Sequence, residues 1–564
     1  MKFEEMTYER PDIEQVEKQF SELLTKFENA GTADAQNAVM KEINDLRVEV
    51  ETMGTLAQVR HSIDTNDEFY DAENDYFDEN QPRMQALSTQ FYQALVKSPF
   101  RSELEQSWGK QLFRLAEMTV KTFDPVILAD LQKENKLASE YDRLIASAKI
   151  DFEGEDRNLA QMGPFLTSPD REMRKRAYEA RYNFFIEHQD ELDEIYDGLV
   201  KTRTELARKL GYKTFTELGY LRLSRSDYNA EMVANFRKQV EEFIVPVATA
   251  LRERQKDRIG VDELKYYDEG FKFPSGNPKP HGDPDWIVDK GKRMYMELSP
   301  ETDEFFTVMT DNHLMDLVSK KGKNAGGYCT GLGKYKVPFI FSNFNGTFGD
   351  VTVLTHEAGH AFQSYSSRHF ELPEYGFPTM ESAEIHSMSM EFFTWPWMDL
   401  FFEEETEKFK FMHLADALQF IPYGVAVDEF QHFVYENPDV SPAQRRAAWR
   451  RIEKKYLPHR NYEGNDYLES GAFWHQQGHI FGVPFYYIDY TLAQICAFQF
   501  WKKANEDRER AWGDYLNLCK QGGSKSFLEL VQTANLISPF DTGCVESVIG
   551  DIEAWLDGVN DSTL

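Results

Sequence analysis

The chain has 564 residues, of which 41% are hydrophobic, and a formal net charge of −33. A chain of this length can bury a large core, and length alone permits two to four domains. So large a negative charge argues against nucleic acids and anionic membrane surfaces as partners.

The cysteine pattern and the lack of long apolar segments indicate in which cellular compartment the protein resides. Four cysteines occur without a C-x-x-C pair or the spacing of a disulfide framework, at positions 329, 496, 519 and 544. Reduced thiols in a cytosolic protein are the simplest interpretation. The first residues, MKFEEMTYERPDIEQ, hold no apolar export segment, and no run of about 18 apolar residues occurs. We therefore expect a cytoplasmic protein that does not span a membrane.

Helical periodicity dominates the sequence from its first residues. An apolar series at three- and four-residue steps lies between a candidate cap, Asp12, and Gly31; it consists of Ile13, Val16, Phe20, Leu23 and Phe27. The same pattern follows Asp34, with Val39, Ile43, Leu46 and Val50. Similar faces recur across residues 130–210, 230–258, 407–434 and 485–502. This periodicity predicts a mainly α protein.

The domain organisation is less sharply marked than the helices. Residues 274–284 are rich in proline and glycine and predict a surface loop. No Ser/Gly linker separates independent modules, so we expect one packed body. We place a soft boundary near residue 200, between an N-terminal helical region (1–200) and a catalytic region (201–564).

A stretch of strand composition, VPFIFSNF, covers residues 337–344. Pro338 favours an edge strand over a central one, because it lacks a backbone N–H. An edge strand can hydrogen-bond an extended peptide by strand addition, and the glycines around 326–333 suit close backbone approach. The segment therefore predicts either a substrate cradle or a plain hairpin packed on a helical core.

The most informative motif is H-E-x-x-H, formed by His356, Glu357, Ala358, Gly359 and His360. The flanking residues predict a helix, with Asp350 as its candidate N-cap. Positions i and i+4 share one helix face, so both imidazoles can reach a single Zn²⁺ while Glu357 acts as general base. The alternative is an ordinary helix with two histidines on a polar face.

The third metal ligand sorts zinc peptidases into classes. The metzincin pattern requires Gly at 363 and His at 366, whereas this chain has Gln363 and Ser366. A carboxylate from a second helix is the remaining option. This class of site needs one acidic residue facing the two histidines.

A second helix is predicted to begin at Pro378-Thr379 and to continue through Phe393. Glu384, 28 positions after His356, is one candidate ligand on it. Glu381 and His386 are competitors on other faces of the same helix, and spacing alone leaves the choice open.

A third segment, SGAFWHQQGHIFGVPFYYIDY, spans residues 470–490. His479 lies in a glycine-flanked stretch that predicts a flexible loop, and Pro484 is a candidate helix start. The helix would carry Tyr486, Tyr487 and Tyr490. A phenol hydroxyl beside a metal can donate to the oxyanion of amide hydrolysis, and aromatic core packing is the alternative role.

These motifs together resemble the thimet oligopeptidase family, and closely its bacterial oligoendopeptidase F branch. The resemblance is carried by HEAGHAFQ, by MESAEIHSMSMEF, and by residues 326–351 and 470–490, and it covers about residues 200–560. It implies a two-lobed helical fold around a deep cleft, with a small sheet beside the active-site helix. It also implies that Glu384 is the third ligand, and that His479 and Tyr490 stabilise the oxyanion, with Tyr486 and Tyr487 as further candidates.

The resulting hypothesis is a zinc endopeptidase acting on short oligopeptides, with one Zn²⁺ per chain held by His356, His360 and Glu384. A zinc carboxypeptidase of similar helical build and a non-catalytic peptide-binding protein are alternatives. A di-iron carboxylate oxidoreductase is a third, because a second E-x-x-H is present. That site would combine both E-x-x-H pairs with two further acids: Glu357 and His360, Glu429 and His432, Glu384 and Glu391.

Overall fold

The computed structural model describes residues 1–320, 322–324 and 326–564. Helices make up most of this part of the chain, and the strands form two small sheets. The mainly α fold predicted from periodicity is confirmed.

Five N-terminal helices form a bundle around a second hydrophobic core, to which Leu372 and Tyr375 of the C-terminal part also contribute. The first begins after Asp12, whose carboxylate accepts the backbone N–H of Gln15, and its five predicted apolar residues are all buried. The bundle consists of α1 (Ile13–Asn29), α2 (Ala33–Ile63), α3 (Glu68–Val96), α4 (Arg101–Trp108) and α5 (Lys110–Thr122).

The middle of the chain contains further helices and a two-stranded antiparallel hairpin. The proposed boundary near residue 200 stays a prediction, and that position lies within a continuous helix. The predicted loop at 274–284 is irregular up to the helix that begins at Pro284. The elements are α6 (Leu128–Ala146), β1 (Ile150–Phe152), β2 (Glu155–Arg157), α7 (Gly163–Leu166), α8 (Arg171–Glu187), α9 (Gln189–Lys209), α10 (Phe215–Arg222), α11 (Ala230–Gln239), α12 (Val245–Arg258), α13 (Pro284–Leu298) and α14 (Pro300–Asp311).

The second sheet has three strands, β3 (Met315–Val318), β4 (Tyr328–Leu332) and β5 (Val337–Phe344), in the order β3-β5-β4. The prediction that 337–344 is an edge strand is therefore wrong, because β5 lies in the centre. Pro338 is tolerated there since β3 pairs with β5 only from Ile340 onward. The edge strand that lies beside the H-E-x-x-H helix is β4.

The C-terminal part packs helices around the H-E-x-x-H motif, and it shares the larger core. No helix among the described residues is long and apolar enough to cross a membrane. The elements are α15 (Gly349–Ser367), α16 (Met380–Phe393), α17 (Asp399–Phe402), α18 (Thr406–Glu436), α19 (Pro442–Tyr456), α20 (Asp466–Glu469), α21 (Gly478–Gly482), α22 (Tyr487–Glu506), α23 (Arg508–Gln521), α24 (Phe527–Thr533) and α25 (Cys544–Gly558).

Three helix boundaries differ from the sequence predictions. Asp350 lies inside α15 and is not its N-cap; its carboxylate instead accepts the backbone N–H groups of Asn345 and Gly346 in the preceding turn. His479 lies in the short helix α21, not in a flexible loop. Helix α22 begins at Tyr487, three residues after Pro484. The predicted start of α16 after Thr379 is confirmed.

Candidate metal centre

Three side chains converge from two helices. His356 and His360 extend from the same face of α15, and the Glu384 carboxylate approaches from α16. Glu384 Oε2 lies 3.3 Å from His356 Nε2 and 3.6 Å from His360 Nε2. The ligand atoms of all three residues lie within 4.8 Å of one another. Two imidazoles and one carboxylate in this arrangement form a three-ligand site of the kind that holds a catalytic metal.

The close packing of α16 on α15 depends on Gly359, inside the H-E-x-x-H motif. A Cβ atom at Gly359 would lie 2.7 Å from the carbonyl oxygen of His386 and 2.7 Å from the Cα of Ser387. Backbone atoms cannot move aside as the end of a flexible side chain can, so a larger residue here would push the helices apart. The missing side chain therefore lets Glu384 reach both histidines.

The two competitors for the third ligand lie elsewhere. Glu381 is buried near Arg225 and Asp489, and burial is the main reason that its pKa is raised to about 8. His386 is fully buried, and burial lowers its pKa to about 3. Neither belongs to the group of ligand atoms formed by Glu384 and the two histidines.

A hydrogen-bonded chain behind His356 sets the tautomer of this ligand. The indole N–H of Trp395 donates to His413 Nδ1 at 3.1 Å, so the proton of a neutral His413 resides on Nε2. That nitrogen lies 2.6 Å from Glu391 Oε2, and the other oxygen of Glu391 lies 2.7 Å from His356 Nδ1. His356 Nδ1 then carries a proton and Nε2 presents its lone pair toward Glu384 and His360.

Sequence reasoning assigned Glu391 only to the di-iron alternative. Its position seven residues after Glu384, two turns along the same face of α16, is a signal that could have indicated its role beside the histidines. His413 and Trp395 offered no such signal, because they lie outside the motifs.

The charges at the centre reinforce one another. Burial opposes ionisation of Glu384, but the two histidines outweigh it and hold the pKa of this carboxyl well below its usual range. Burial likewise opposes protonation of His356, but hydrogen bonds to Glu384 and Glu391 raise its pKa well above the usual value. Glu384 and Glu391 therefore attract positive charge to the histidines, either a proton on His356 or a metal ion in its place.

Glu357 lies beside the three candidate ligands and outside the group that their ligand atoms form. It is 7% exposed, its Oε2 has no hydrogen-bond partner among the described residues, and burial raises its pKa. A Cβ atom at Gly327, just before β4, would lie 3.7 Å from Glu357 Oε1. Glu357 thus faces the space between the ligands and the start of β4. An unpartnered buried carboxylate beside a His-His-Glu donor set fits a bound metal and its water.

The outer edge of β4, which has no strand partner among the described residues, passes this carboxylate. On β5, the N–H of Ile340 donates to the carbonyl of Leu314, away from β4. Cys329 pairs with Ile340 in the antiparallel ladder, and Gly331 pairs with Pro338 two residues along. Because alternate residues of such a ladder point to opposite sides, Cys329 and Gly331 direct their N–H and C=O groups to the unpaired edge.

The tyrosines at the start of α22 lie beside the candidate metal centre. The hydroxyl of Tyr486 donates to Glu384 Oε1 at 3.0 Å, so this residue contacts the third ligand directly. Tyr490 is half-buried, its ring centroid lies 5.9 Å from that of His479, and its pKa is raised to about 12, chiefly by burial. Tyr487 packs its ring against Phe420, with 5.6 Å between the centroids. Tyr486 thus contacts the third candidate ligand, whereas the rings of Tyr487 and Tyr490 both pack near His479 and Phe420.

A second hydrogen-bonded chain orients His479. The Tyr423 hydroxyl donates to Gln477 Oε1 at 2.8 Å, and Gln477 Nε2 lies 2.8 Å from His479 Nδ1. Since the amide nitrogen can only donate, the proton of neutral His479 resides on Nε2. Burial lowers the pKa of His479, which favours this neutral form. His479 therefore presents an N–H donor on its other side.

The residue before Tyr486 is held in a strained conformation. Phe485 has φ of +68°, in the left-handed region that is uncommon for residues with a side chain. Its N–H donates to Gln431 Oε1 at 2.8 Å, and its carbonyl accepts from Arg225 at 2.6 Å. The same Arg225 nitrogen donates to Asp489 on α22, also at 2.6 Å. Buried polar contacts thus fix the backbone on both sides of Tyr486.

The second E-x-x-H does not join the site. Glu429 interacts with Lys455, 3.1 Å away, and with Tyr456. His432 Nε2 lies 3.0 Å from the hydroxyl of Tyr220. With Glu391 bound to His356 as well, the arrangement required for a di-iron centre is not formed.

The chain resembles known proteins in both sequence and structure. A family model described as Peptidase family M3 matches residues 165–273 and 301–548, and one described as Peptidase M3 N-terminal domain matches residues 3–123. Oligopeptidase PepF of Bacillus subtilis is 22% identical over 559 residues, which cover 90% of this chain and 79% of the relative.

Solved structures resemble the chain over its whole length. PZ peptidase A, solved with an inhibitor, shares 64% identity at a TM-score of 0.95, with 100% of both chains covered. A Bacillus anthracis protein shares 59% identity at a TM-score of 0.91, with 100% of this chain and 99% of that chain covered. The similarity therefore extends over the whole helical framework, including the segments that form α15, α16 and α22.

The chain behind His356 leads to a first prediction. Glu391→Gln should weaken metal binding by roughly 10- to 100-fold, because the ligand loses the carboxylate that fixes its tautomer. Competition with a chromogenic chelator measures the affinity. Glu381→Gln is the matched control, a buried glutamate on the same helix, and should leave affinity unchanged. Equal affinities for Glu391→Gln and the unmodified protein would refute this role.

Glu381 leads to a second prediction, on pH and stability. Its pKa of about 8 exceeds its usual value of 4.5, so the folded protein binds a proton that the unfolded chain releases. This contribution is fully present below about pH 4.5 and is lost as the pH rises to about 8. Glu381→Gln cannot ionise, so its Tm relative to the unmodified protein should increase by roughly 2 °C between pH 5.5 and 8.5. A pH-independent difference in calorimetry would contradict the assignment.

Proposed function

The chain belongs to peptidase family M3, and from this membership and its metal centre we propose that it is a zinc-dependent endopeptidase of short oligopeptides. Members of this family are metallopeptidases that hydrolyse peptides. The observation that carries the finer proposal is the convergence of His356, His360 and Glu384 beside the buried carboxylate of Glu357. That combination supports hydrolysis by an activated water.

His356 Nε2, His360 Nε2 and Glu384 Oε2 would hold the metal. Zinc is favoured because two imidazoles and one carboxylate make the ligand set of catalytic zinc sites and leave a coordination position open. When bound, Zn²⁺ lowers the pKa of water and polarises the carbonyl of the peptide bond. One ion per chain satisfies this set.

Glu357 would act as the general base and then as the general acid. Its burial raises the pKa of the carboxyl, which moves its proton affinity toward the working pH. The carboxylate takes a proton from the attacking water, holds it while the C–N bond weakens, and delivers it to the leaving amine. A non-catalytic peptide-binding protein would not need a buried carboxylate that lacks a hydrogen-bond partner, so this alternative does not account for Glu357.

Two donors would stabilise the oxyanion. His479 offers its Nε2 proton because Gln477 occupies Nδ1, and the half-buried Tyr490 offers its hydroxyl. Preorganised donors of this kind each contribute roughly 2.7–4 kcal/mol when measured by removal. Tyr486 has a different task, since its hydroxyl hydrogen-bonds Glu384 and orients the third ligand.

The substrate would bind in extended form along β4. Cys329 and Gly331 direct backbone groups toward the unpaired edge, and such pairing is independent of side-chain sequence. A zinc carboxypeptidase remains the second candidate, and it requires a cation that captures a terminal carboxylate. Arg225 lies close to the tyrosine segment but is already committed to Asp489 and Phe485. Arg225 is therefore not available for that task.

A cytoplasmic location forms part of the proposal. It is supported by the free thiols of all four cysteines, three of which are buried. Buried unpaired thiols are typical of proteins that fold under reducing conditions.

The function is tested first by metal content and by Glu357→Gln. The purified protein should contain close to one zinc per chain, and a chelator should remove zinc and activity on an internally quenched, end-blocked peptide together. Glu357→Gln should retain zinc and lose roughly 10²- to 10⁴-fold in rate. Loss of zinc by this variant would make Glu357 a ligand, and a requirement for a free C-terminus would favour the carboxypeptidase.

The oxyanion donors are tested by two tyrosine variants. Tyr490→Phe should lower kcat by roughly 10²-fold or more with little change in KM, because the hydroxyl acts only in the transition state. Tyr487→Phe is the control and should be near neutral, since its ring packs on Phe420. Zinc content should not change in either variant. An unaltered kcat for Tyr490→Phe would leave the role with His479 alone.

A further inference from the structure

A cavity of about 510 Å³ lies between α12 and the segment that follows α19, and none of the three candidate metal ligands lines it. Helix α12 contributes Arg252, and residues 458–461 contribute His459 and Arg460. We propose that this cavity binds a small oxyanion, of the phosphate or carboxylate type, on the guanidinium of Arg252. The inference goes beyond the proposed peptidase function and does not depend on it. The volume lies within the range of ligand sites in proteins.

Arg252 has a half-buried guanidinium without a carboxylate partner in the described structure. Its Nη1 donates to the side-chain oxygen of Gln255 at 2.8 Å and to the backbone carbonyl of Glu269 at 3.1 Å, and both acceptors are uncharged. Neither Nε nor Nη2 has a hydrogen-bond acceptor among the described residues, and Nε is buried. Such a pair of nitrogens forms the edge of a guanidinium that can bind two oxygens of a carboxylate or a phosphate in parallel.

The neighbouring cations differ from Arg252 because each already has a carboxylate partner. Arg460 forms two hydrogen bonds with the Glu269 carboxylate, at 3.2 and 3.0 Å, and Lys272 Nζ lies 2.5 Å from Asp416. Burial is the main reason that the pKa of Arg252 is lowered, and the positive charge of Arg460 contributes to the shift. An anion beside Arg252 would compensate this desolvated charge.

Four acidic side chains also line the cavity, but none of them forms an ion pair with Arg252. Asp262 is exposed to solvent, and the other three have cationic partners elsewhere. Carboxylates that are solvated or already paired repel an incoming anion only weakly. The pairs are Glu253 with Lys256 at 2.7 Å, Glu263 with Lys265 at 2.6 Å and Glu469 with Arg450 at 2.9 Å.

His459 supplies a further donor next to this charge. Its side chain is 7% exposed, and its Nε2 is buried without a hydrogen-bond partner in the described parts of the chain. Glu269 Oε1 lies 3.8 Å from this nitrogen, which is too far for a hydrogen bond. Burial lowers the pKa of His459 to about 4, and the charge of the nearby Arg252 contributes, so the imidazole is neutral at pH 7. A buried polar group that lacks a partner is typical of a site that a ligand or water completes.

Arg460 connects the cavity to the segment that orients His479. Its guanidinium lies over the ring of Phe473, 4.4 Å from the centroid, and this ring lies 5.9 Å from that of Tyr423. The Tyr423 hydroxyl in turn donates to Gln477, which hydrogen-bonds His479. The oxyanion can therefore come from solution or from the free carboxyl terminus of a peptide that is bound beside this segment.

Isothermal titration calorimetry with inorganic phosphate tests the site, at an ionic strength kept constant with chloride. Arg252→Gln should weaken phosphate binding by roughly 10- to 100-fold, because charge-assisted hydrogen bonds are lost. Arg254→Gln is the matched control and should leave the affinity unchanged, since this arginine of the same helix lies outside the cavity and pairs with Asp557 and Asp561. Phosphate that binds at the metal centre would contribute equally to both variants.

A conservative variant keeps the test decisive. Arg252→Lys retains the positive charge but has no second nitrogen for parallel hydrogen bonds, so its affinity should lie between those of the unmodified protein and Arg252→Gln. Zinc content and Tm in chloride verify that each variant is folded. If Arg252→Gln does not fold, the comparison of Arg252→Lys with Arg254→Gln decides the question.

Two peptides that differ only in a free or an amidated carboxyl terminus distinguish the sources of the oxyanion. Their affinity for the Glu357→Gln protein is measured by fluorescence anisotropy, with and without phosphate. If a peptide carboxylate occupies the site, phosphate and Arg252→Gln should weaken only the peptide with the free terminus. If the anion comes from solution, both peptides should respond equally. The proposal is overturned if Arg252→Gln changes neither phosphate affinity nor the affinity for the free carboxylate, or if Arg254→Gln causes the same losses.

Discussion

The metal centre depends on how closely α16 can approach α15. The two helices meet at Gly359, where backbone atoms of His386 and Ser387 occupy the space of a side chain. A metal site tolerates errors of only a few tenths of an ångström in ligand position, so helix separation decides whether Glu384 completes the set. One of the two variable positions in the H-E-x-x-H motif is thus constrained by packing in this protein.

Around this contact, each reactive group is held by a partner that leaves it little freedom. Glu384 accepts hydrogen bonds from Ser387 and Tyr486, and His356 is held by Glu391. Buried polar chains of this kind are costly when one member is missing, because the remaining groups are desolvated without compensation. Their benefit is a site whose dipoles are oriented before substrate arrives, which is the main electrostatic contribution to catalysis.

Predictions based on local signals agree best with the structure. The helix containing Phe20 and the helix start after Thr379 follow from patterns within about one turn of chain. The position of β5 at the centre of its sheet was mispredicted, because β3 and β4 decide it and Pro338 gives only a local preference. Asp350 was misassigned as a cap for the same reason, since Asn345 and Gly346 compete for its carboxylate.

In the candidate site, too, the features set by local sequence were predicted and those set by long-range contacts were not. The placement of His356, His360 and Glu357 on one helix could be read from spacing, whereas the choice of Glu384 over Glu381 needed the family resemblance. Arg225 contacts Phe485 across 260 residues of sequence, and no local pattern indicates such a pair. The geometry of the tyrosines therefore lay beyond prediction from spacing.

The unpaired edge of β4 has a consequence for self-association. A row of free N–H and C=O groups on an open surface can pair with any exposed strand and so promotes aggregation. Here α2 is tied to the chain on both sides of β4, through Ser62 to Asn324 and through Thr52 to Lys334. A helix held at this position would obstruct the rigid sheet of another folded molecule more than it would obstruct a single extended strand. This obstruction would discriminate between thin extended peptides and thicker folded proteins, independently of their side chains.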